Sequence, residues 1–162
     1  MTPRLLAVVA VVLLSVACSS SKRENIRPPR DLEKFDATVA VDRLWSRSLG
    51  DVGAKPGLGL APVLFDGRLY ASNAKGDVFV LDAASGAEIA RHRTGLALST
   101  GPGVGDGVIA LGTLDGRLVV LDAESGAERF SARLLSEVLA APAVAEGRVF
   151  VRSHDGRIQA FD

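Results

Sequence analysis

The chain has 162 residues, with 19 basic and 19 acidic side chains, 17 glycines, one cysteine and 5% aromatic residues. An even charge balance leaves no electrostatic footprint for nucleic acid, and a single cysteine excludes an intramolecular disulfide. The length predicts one compact domain, and plentiful glycine with few aromatics suits a turn-dense β protein.

At the N-terminus, Arg4 and the terminal amine precede an unbroken apolar run from Leu5 to Leu14, followed by Ser15-Val16-Ala17-Cys18. The run is too short to span a bilayer and has the flanks of a secretory signal peptide. A simple signal cleaved near Ala17 would leave Cys18 incidental. Cys18, however, is the sole cysteine and directly follows a small residue where the apolar run ends. That arrangement resembles the lipobox of bacterial lipoproteins, with Ser15 where leucine is commonest. In that class the cysteine is lipidated and becomes the first residue of the mature protein, so residues 1–17 read as signal peptide. The next residue is Ser19 and not Asp, which resembles the class sorted to the outer membrane. Residues 18–36 then read as a polar tether, solvated along Ser19 to Arg30.

Thr38 to Leu49 reads as one strand, and the blades are expected over residues 37–162. Leu44-Trp45 stands where the fourth strand of a repeat carries Ala90 and Phe130. The stretch from Trp45 to Pro62 is longer than those from Ala90 to Pro102 and from Phe130 to Pro142, so a glycine-rich loop is lengthened within Gly50 to Gly59. This strand has no first three strands before it. In a closed ring the last blade would borrow it, which removes open edges.

From Pro62 the chain repeats at one fixed interval: Pro62, Pro102 and Pro142; Asp66-Gly67, Asp106-Gly107 and Glu146-Gly147; Lys75-Gly76, Asp115-Gly116 and Asp155-Gly156; Asp82, Asp122 and Asp162. A period held without slippage marks a repeat architecture. Asp106-Gly107 and Asp115-Gly116 predict tight hairpin turns through positive φ angles. In Asp122-Ala123-Glu124-Ser125-Gly126, Asp122 bonds nearby backbone and Gly126 takes the left-handed position. The runs between these turns make four short antiparallel strands per unit.

Val78-Phe79-Val80-Leu81 and Leu118-Val119-Val120-Leu121 are apolar at every position, so both faces of that strand must be covered. A four-stranded sheet held between two similar sheets meets that need. The fold class is therefore all-β, a β-propeller of four-stranded antiparallel blades with repeats of about 40 residues. The third unit stops at Asp162, where the third turn would open. Propellers commonly have about 4 to 8 blades. The expectation is an incomplete arc of roughly three blades, the first part of a longer protein, with exposed faces that favour self-association.

Catalytic constellations are sparse. His92 and His154 stand in different strand registers and read as surface or loop histidines. Asp82 and Asp122 recur with the repeat and read as turn residues. The glycines of Gly101-Pro102-Gly103-Val104-Gly105 lead into no helix, so phosphate binding is not expected. Trp45 is expected to pack between blades, and Arg68, Arg117, Arg148 and Arg157 follow turn glycines, where solvated positions are the rule. No catalytic residue, metal ligand or cofactor site emerges; Cys18, as the lipidated residue, is the one site residue.

The run Asp115-Gly116-Arg117-Leu118-Val119-Val120-Leu121-Asp122-Ala123-Glu124-Ser125-Gly126-Ala127-Glu128 resembles the repeat of the pyrroloquinoline-quinone (PQQ) type propellers. That group has two relevant branches. One comprises quinoprotein dehydrogenases, enzymes with a calcium-bound quinone. The other is the BamB family of outer-membrane lipoproteins, which assist the β-barrel assembly machinery. The lipobox, the tether, Pro28-Pro29 before Phe35, Leu44-Trp45-Ser46 and the blades together resemble the BamB family. The family's repeat often ends in Trp where Ala90 and Phe130 stand here, which implies weaker docking between blades. The resemblance implies a non-enzymatic, cofactor-free scaffold of about eight blades in the BAM complex. It would be lipid-anchored at the periplasmic face of the outer membrane and would bind the POTRA domains of BamA. The family's contacts with BamA fall on later blades, so no partner-binding residue carries over to this chain. Strand addition by unfolded outer-membrane proteins is a second role for such a scaffold. The alternative is a PQQ-dependent dehydrogenase, which explains the repeat but not the anchor, and needs cofactor and calcium ligands elsewhere.

The lipobox reading has a direct test. One acyl chain alone holds a protein to a membrane only marginally, so stable attachment takes more than one. Cys18→Ser is expected to move the protein from the membrane to the soluble fraction on fractionation. A variant that still floats with membranes defeats the reading.

Overall fold

A computed structural model of the chain describes residues 32, 33, 35, 36, 38–50 and 58–162. Cys18, the signal peptide, most of the 18–36 tether and residues 51–57 of the long loop lie outside the described residues. The chain divides into a first unit, Met1–Ala40, and a second, Val41–Asp162. The described residues of the first unit form no strand.

The second unit contains β1 (Val63–Phe65), β2 (Arg68–Ser72), β3 (Asp77–Asp82), β4 (Glu88–Arg93), β5 (Gly103–Gly105), β6 (Val108–Gly112), β7 (Arg117–Asp122), β8 (Glu128–Arg133), β9 (Ala143–Ala145), β10 (Arg148–Arg152) and β11 (Ile158–Phe161). They make three antiparallel sheets, in the orders β1-β2-β3-β4, β5-β6-β7-β8 and β9-β10-β11. Equivalent strands of the first two sheets start one full repeat apart, as Asp77 and Arg117 do. β3–β4 and β7–β8 also share a register shift at the same place, after Val80 and after Val120. The repeat thus extends to the position of a β-bulge.

The first turn of each sheet has the predicted form. Asp106 and Gly107 both have positive φ (47° and 74°), and Asp66-Gly67 and Glu146-Gly147 match them. This is the two-residue turn whose twist suits a hairpin. Asp115-Gly116 differs from the expectation, because Gly116 (φ 77°) is left-handed and Asp115 is not. The reason is the buried Thr113. Its backbone amide donates to the Arg117 carbonyl at 3.0 Å, and its hydroxyl accepts from the Arg117 amide at 2.9 Å. That closes a wider turn in which only the glycine must reverse the chain.

Alternate residues of the third strands face opposite seams. Val119 and Leu121 join Tyr70, Val78, Val80, Leu98, Ile109 and Leu111 in the core between the first and second sheets. Leu118 and Val120 join Val108, Ala110, Leu134, Val138, Val149 and Val151 between the second and third. A strand apolar at every position is therefore covered on both sides by stacked sheets. The seams also carry buried Ser72, Ser99, Thr100, Thr113 and Ser153. These are satisfied locally or across a seam: Ser72 donates to the Thr100 carbonyl at 2.8 Å, and Ser99 donates to the Val138 carbonyl at 2.5 Å.

The predicted strand over Thr38–Leu49 is absent; residues 38–50 form no ladder. A strand exists only through a hydrogen-bonded neighbour, and none of the described strands lies beside this segment. Side chains hold it to the first sheet instead. Trp45 Nε1 donates to the Ala83 carbonyl at 3.1 Å, Arg47 donates to the Gly86 carbonyl at 3.2 Å, and Asn73 Nδ2 donates to the Leu49 carbonyl at 3.0 Å.

The inner strands β1, β5 and β9 approach one another closely. A Cβ on Gly103 would collide with the Pro142 carbonyl oxygen, which is backbone and has no room to yield. Gly103→Ala is expected to destabilise the fold by about 1–3 kcal/mol through overpacking, read as a lower urea midpoint at unchanged slope. An unchanged midpoint would show that the inner strands are not in close contact.

Candidate functional site

The third turns carry the repeated carboxylates. Asp82 Oδ1 accepts the Ser85 amide at 2.8 Å and the Ser85 hydroxyl at 2.6 Å. Asp122 Oδ1 does the same with Ser125, at 2.8 Å for each. Asp122 Oδ2 also pairs with Arg129 at 2.6 Å. The Ser85 hydroxyl, then its amide, holds the Asp82 carboxyl below its ordinary range. For Asp122 the Ser125 amide acts most strongly, followed by Arg129 and the Ser125 hydroxyl, and the shift is downward and large. Both carboxylates are turn locks, as read from the sequence, with Oδ1 of each held by its own turn.

Between the sheets these turns frame two clefts at equivalent places. One, of about 520 Å³, lies at the seam of the first and second sheets; Phe65, Arg68, Tyr70, Asp122 and Arg129 are among its walls. The other, of about 270 Å³, lies at the next seam, with Asp106, Val120, Arg129, Phe130 and Asp162 among its walls. Arg129 borders both. The walls combine ion-paired polar groups with apolar surface, which suits holding a ligand or chain more than performing bond chemistry. Among the described residues no three His, Cys, Asp or Glu side chains converge to hold a metal ion.

The docking between sheets was only partly legible. Trp45 packs against the turn of the first sheet, where a Cβ on Gly86 would meet its indole at 2.6 Å. The corresponding Gly126 receives His92, whose imidazole fills the space that an added Cβ would need. His92, read from the sequence as a surface or loop residue, is instead buried on β4, and its Nε2 has no partner. Trp45 thus fills at Gly86 the space that His92 fills at Gly126, while Arg47, the counterpart of His92 on the alignment with Ala90 and Phe130, also reaches Gly86. The signal available was the pair Ser85-Gly86 and Ser125-Gly126, read as turns and not as seats. His154 is exposed, as expected, and so are Arg68, Arg148 and Arg157, while Arg117 is half-buried. Gly101 and Gly103 serve close strand packing and form no anion loop.

Residues 74–162 match the protein family described as outer membrane protein assembly factor BamB. The BamB of Alkalilimnicola ehrlichii is 41% identical over 102 residues, which cover 63% of this chain and 25% of that protein. The BamB of Burkholderia pseudomallei is 34% identical over 97 residues, 60% of this chain and 24% of that protein. The chain thus spans about a quarter of the length of these curated relatives. Among solved structures, BamB from Moraxella catarrhalis superposes with a TM-score of 0.55 and 25% identity over 63% of this chain and 31% of that one. A quinohemoprotein alcohol dehydrogenase from Pseudomonas putida HK5 gives 0.55 and 26% over 65% of this chain and 19% of that one. The sheets are propeller blades, as the repeat predicted.

The turn carboxylates make stability depend on pH in one direction. A carboxyl held below its ordinary value stabilises the fold above about pH 4, and that contribution fades as pH falls through the lowered folded value. Asp122→Asn keeps an oxygen acceptor but no charge. Its melting temperature is expected to lie below that of the parent by a constant amount between about pH 5 and 7, and the gap should narrow as pH falls below about 4. A gap independent of pH would mean that the charge of Asp122 does not matter.

Proposed function

Because the chain belongs to the family of outer membrane protein assembly factor BamB, we propose that it serves as a non-enzymatic scaffold in outer-membrane protein assembly. In this reading it is a lipoprotein anchored through Cys18 at the periplasmic face of the outer membrane, and it joins the BAM complex by binding the POTRA domains of BamA. The observation that carries the reading is the family match across residues 74–162, which takes in β3 to β11. The lipobox-like Ser15-Val16-Ala17-Cys18 supports the anchor. The clefts at the seams support a binding role. Unfolded outer-membrane proteins are a second class of partner by strand addition, for which the outer strands β4 and β8 offer the sheet edges.

A second reading, a quinoprotein dehydrogenase, is favoured by the likeness to the quinohemoprotein alcohol dehydrogenase. Among the described residues no three His, Cys, Asp or Glu side chains converge on a position for its calcium.

Two measurements separate the readings. Tagged full-length chain, purified from detergent-solubilised outer membranes, is expected to retain BamA, and recovery no higher than from an untagged strain defeats the scaffold reading. PQQ with calcium is expected to leave the melting temperature unchanged. A ligand that binds only the folded state at about 100 times its Kd stabilises by about 2.7 kcal/mol, so a saturable rise would favour the enzyme.

A further inference from the structure

At the seam of the first and second sheets the framework repeats but the side chains do not. β2 turns Arg68 and Tyr70 to one face, since alternate residues of a strand share a side, and Tyr70 belongs to the core of that seam. One repeat later the same places hold Val108 and Ala110. Arg68 and Tyr70 both line the larger cleft, of about 520 Å³, against about 270 Å³ at the next seam. Small-molecule sites commonly enclose about 300–1,000 Å³.

Three hydrogen-bond donors on these walls are unused. Tyr70 is 4% exposed, yet its hydroxyl makes no hydrogen bond among the described residues. The fold does not require that hydroxyl, because Ala110 and Phe150 stand in its place in the other two sheets. A buried hydroxyl left without a partner costs stability, so the group calls for one. Arg68 borders the cleft and makes no ion pair among the described residues. The third donor is the backbone amide of Gly107, at the tip of the β5–β6 turn. The Gly107 carbonyl accepts from Ala123 at 2.9 Å, while its amide bonds to nothing among the described residues.

The next seam shows what such an amide takes. There the Gly147 amide, one repeat on from Gly107, donates to Asp106 Oδ2 at 2.8 Å. Asp66 is the counterpart of Asp106 but leaves the Gly107 amide open. The first cleft is thus the second one without its internal carboxylate, and with a guanidinium and a hydroxyl added, both of which bind carboxylates well. We propose that the cleft between the first and second sheets binds a small organic carboxylate with an apolar body. The oxygens of the ligand take the three free donors, and its body lies against Phe65 and Val104.

The cleft also carries carboxylates of its own, and an anion has to enter past them. Asp122 is neutralised by Arg129 at 2.6 Å. Asp66 and Glu124 stand on exposed turns, where water and salt screen their charge, whereas the three donors act on the ligand at contact. Asp66 is the one direct competitor, because a carboxylate turned onto Gly107 would reproduce the bond that Asp106 makes to Gly147.

The test titrates the full 162-residue chain, carrying Cys18→Ser, with hydrocinnamate and follows the backbone amide resonances by NMR. Saturation with a Kd of about 1 mM or tighter is expected for a ligand of this size. The Gly107 resonance should move, while that of Gly147, already bonded to Asp106, should not. Hydrocinnamamide, the same body without the charge, should bind about tenfold more weakly, as should hydrocinnamate to Arg68→Gln. Tyr70→Phe keeps the ring that fills the core; it should weaken binding about fivefold without lowering the melting temperature. Asp66→Asn should bind at least as tightly as the parent. No saturation at tens of millimolar, equal binding of the amide, equal movement of Gly107 and Gly147, or unchanged affinity in the Arg68 and Tyr70 variants overturns the proposal. A lowered melting temperature for Tyr70→Phe overturns it as well, since the hydroxyl would then serve the fold.

Discussion

The structure depends on one constraint: the third strand of each unit is apolar on both faces. A lone antiparallel sheet hides one face and wets the other, so Val78–Leu81 or Leu118–Leu121 would expose two of every four side chains. Stacking a similar sheet on each side removes both faces from water, at roughly 25 cal/mol per Å² of apolar surface. The stacked arrangement follows from that burial, and the turns serve it by keeping each meander short and in register. Flanking polar groups are then forced into the seams, where Ser72, Ser99 and Thr100 find partners across or beside the stacked sheets.

Stacked sheets that converge at one edge impose a second demand. The inner strands approach until backbone nearly meets backbone, and Gly103 is the residue that permits it. The outer strands β4 and β8 have room for large charged side chains. Arg91 pairs with Glu88 and stacks on Phe79, and Arg93, Arg129 and Arg133 pair with Asp77, Asp122 and Asp115. Surface pairs of this kind add little stability. Their effect is to crowd the exposed edges with charge, which discourages indiscriminate pairing.

The fold was legible because its determinants are local. Asp-Gly dipeptides, apolar four-residue runs and a constant repeat interval can all be read within or between neighbouring units. The docking between units was less legible, because its partners are far apart in sequence and follow no pattern of their own. Trp45 meets Gly86 and His92 meets Gly126, and the two pairs do not even share one spacing along the chain. Both glycines follow a serine, but that dipeptide reads as a turn and does not announce what packs on it. The strand expected at Thr38–Leu49 failed for a related reason: its likeness to a fourth strand can be read from the chain, but a ladder needs a neighbour. Asp115-Gly116 looked like Asp106-Gly107, and the difference came from Thr113, just upstream of the dipeptide, whose hydroxyl accepts the Arg117 amide.

Every strand pairing in the three sheets joins strands that follow one another in the chain. No ladder waits for a distant segment, so closing each hairpin involves only a short loop, and the entropic cost of closure grows slowly with loop length. Such low contact order favours fast formation of each meander. A chain made from its N-terminus can therefore complete the sheet β1 to β4 before β5 exists, leaving one apolar face for the next meander to cover. The order of synthesis and the order of assembly coincide, and at each step one unfinished surface serves as template for the sheet that follows.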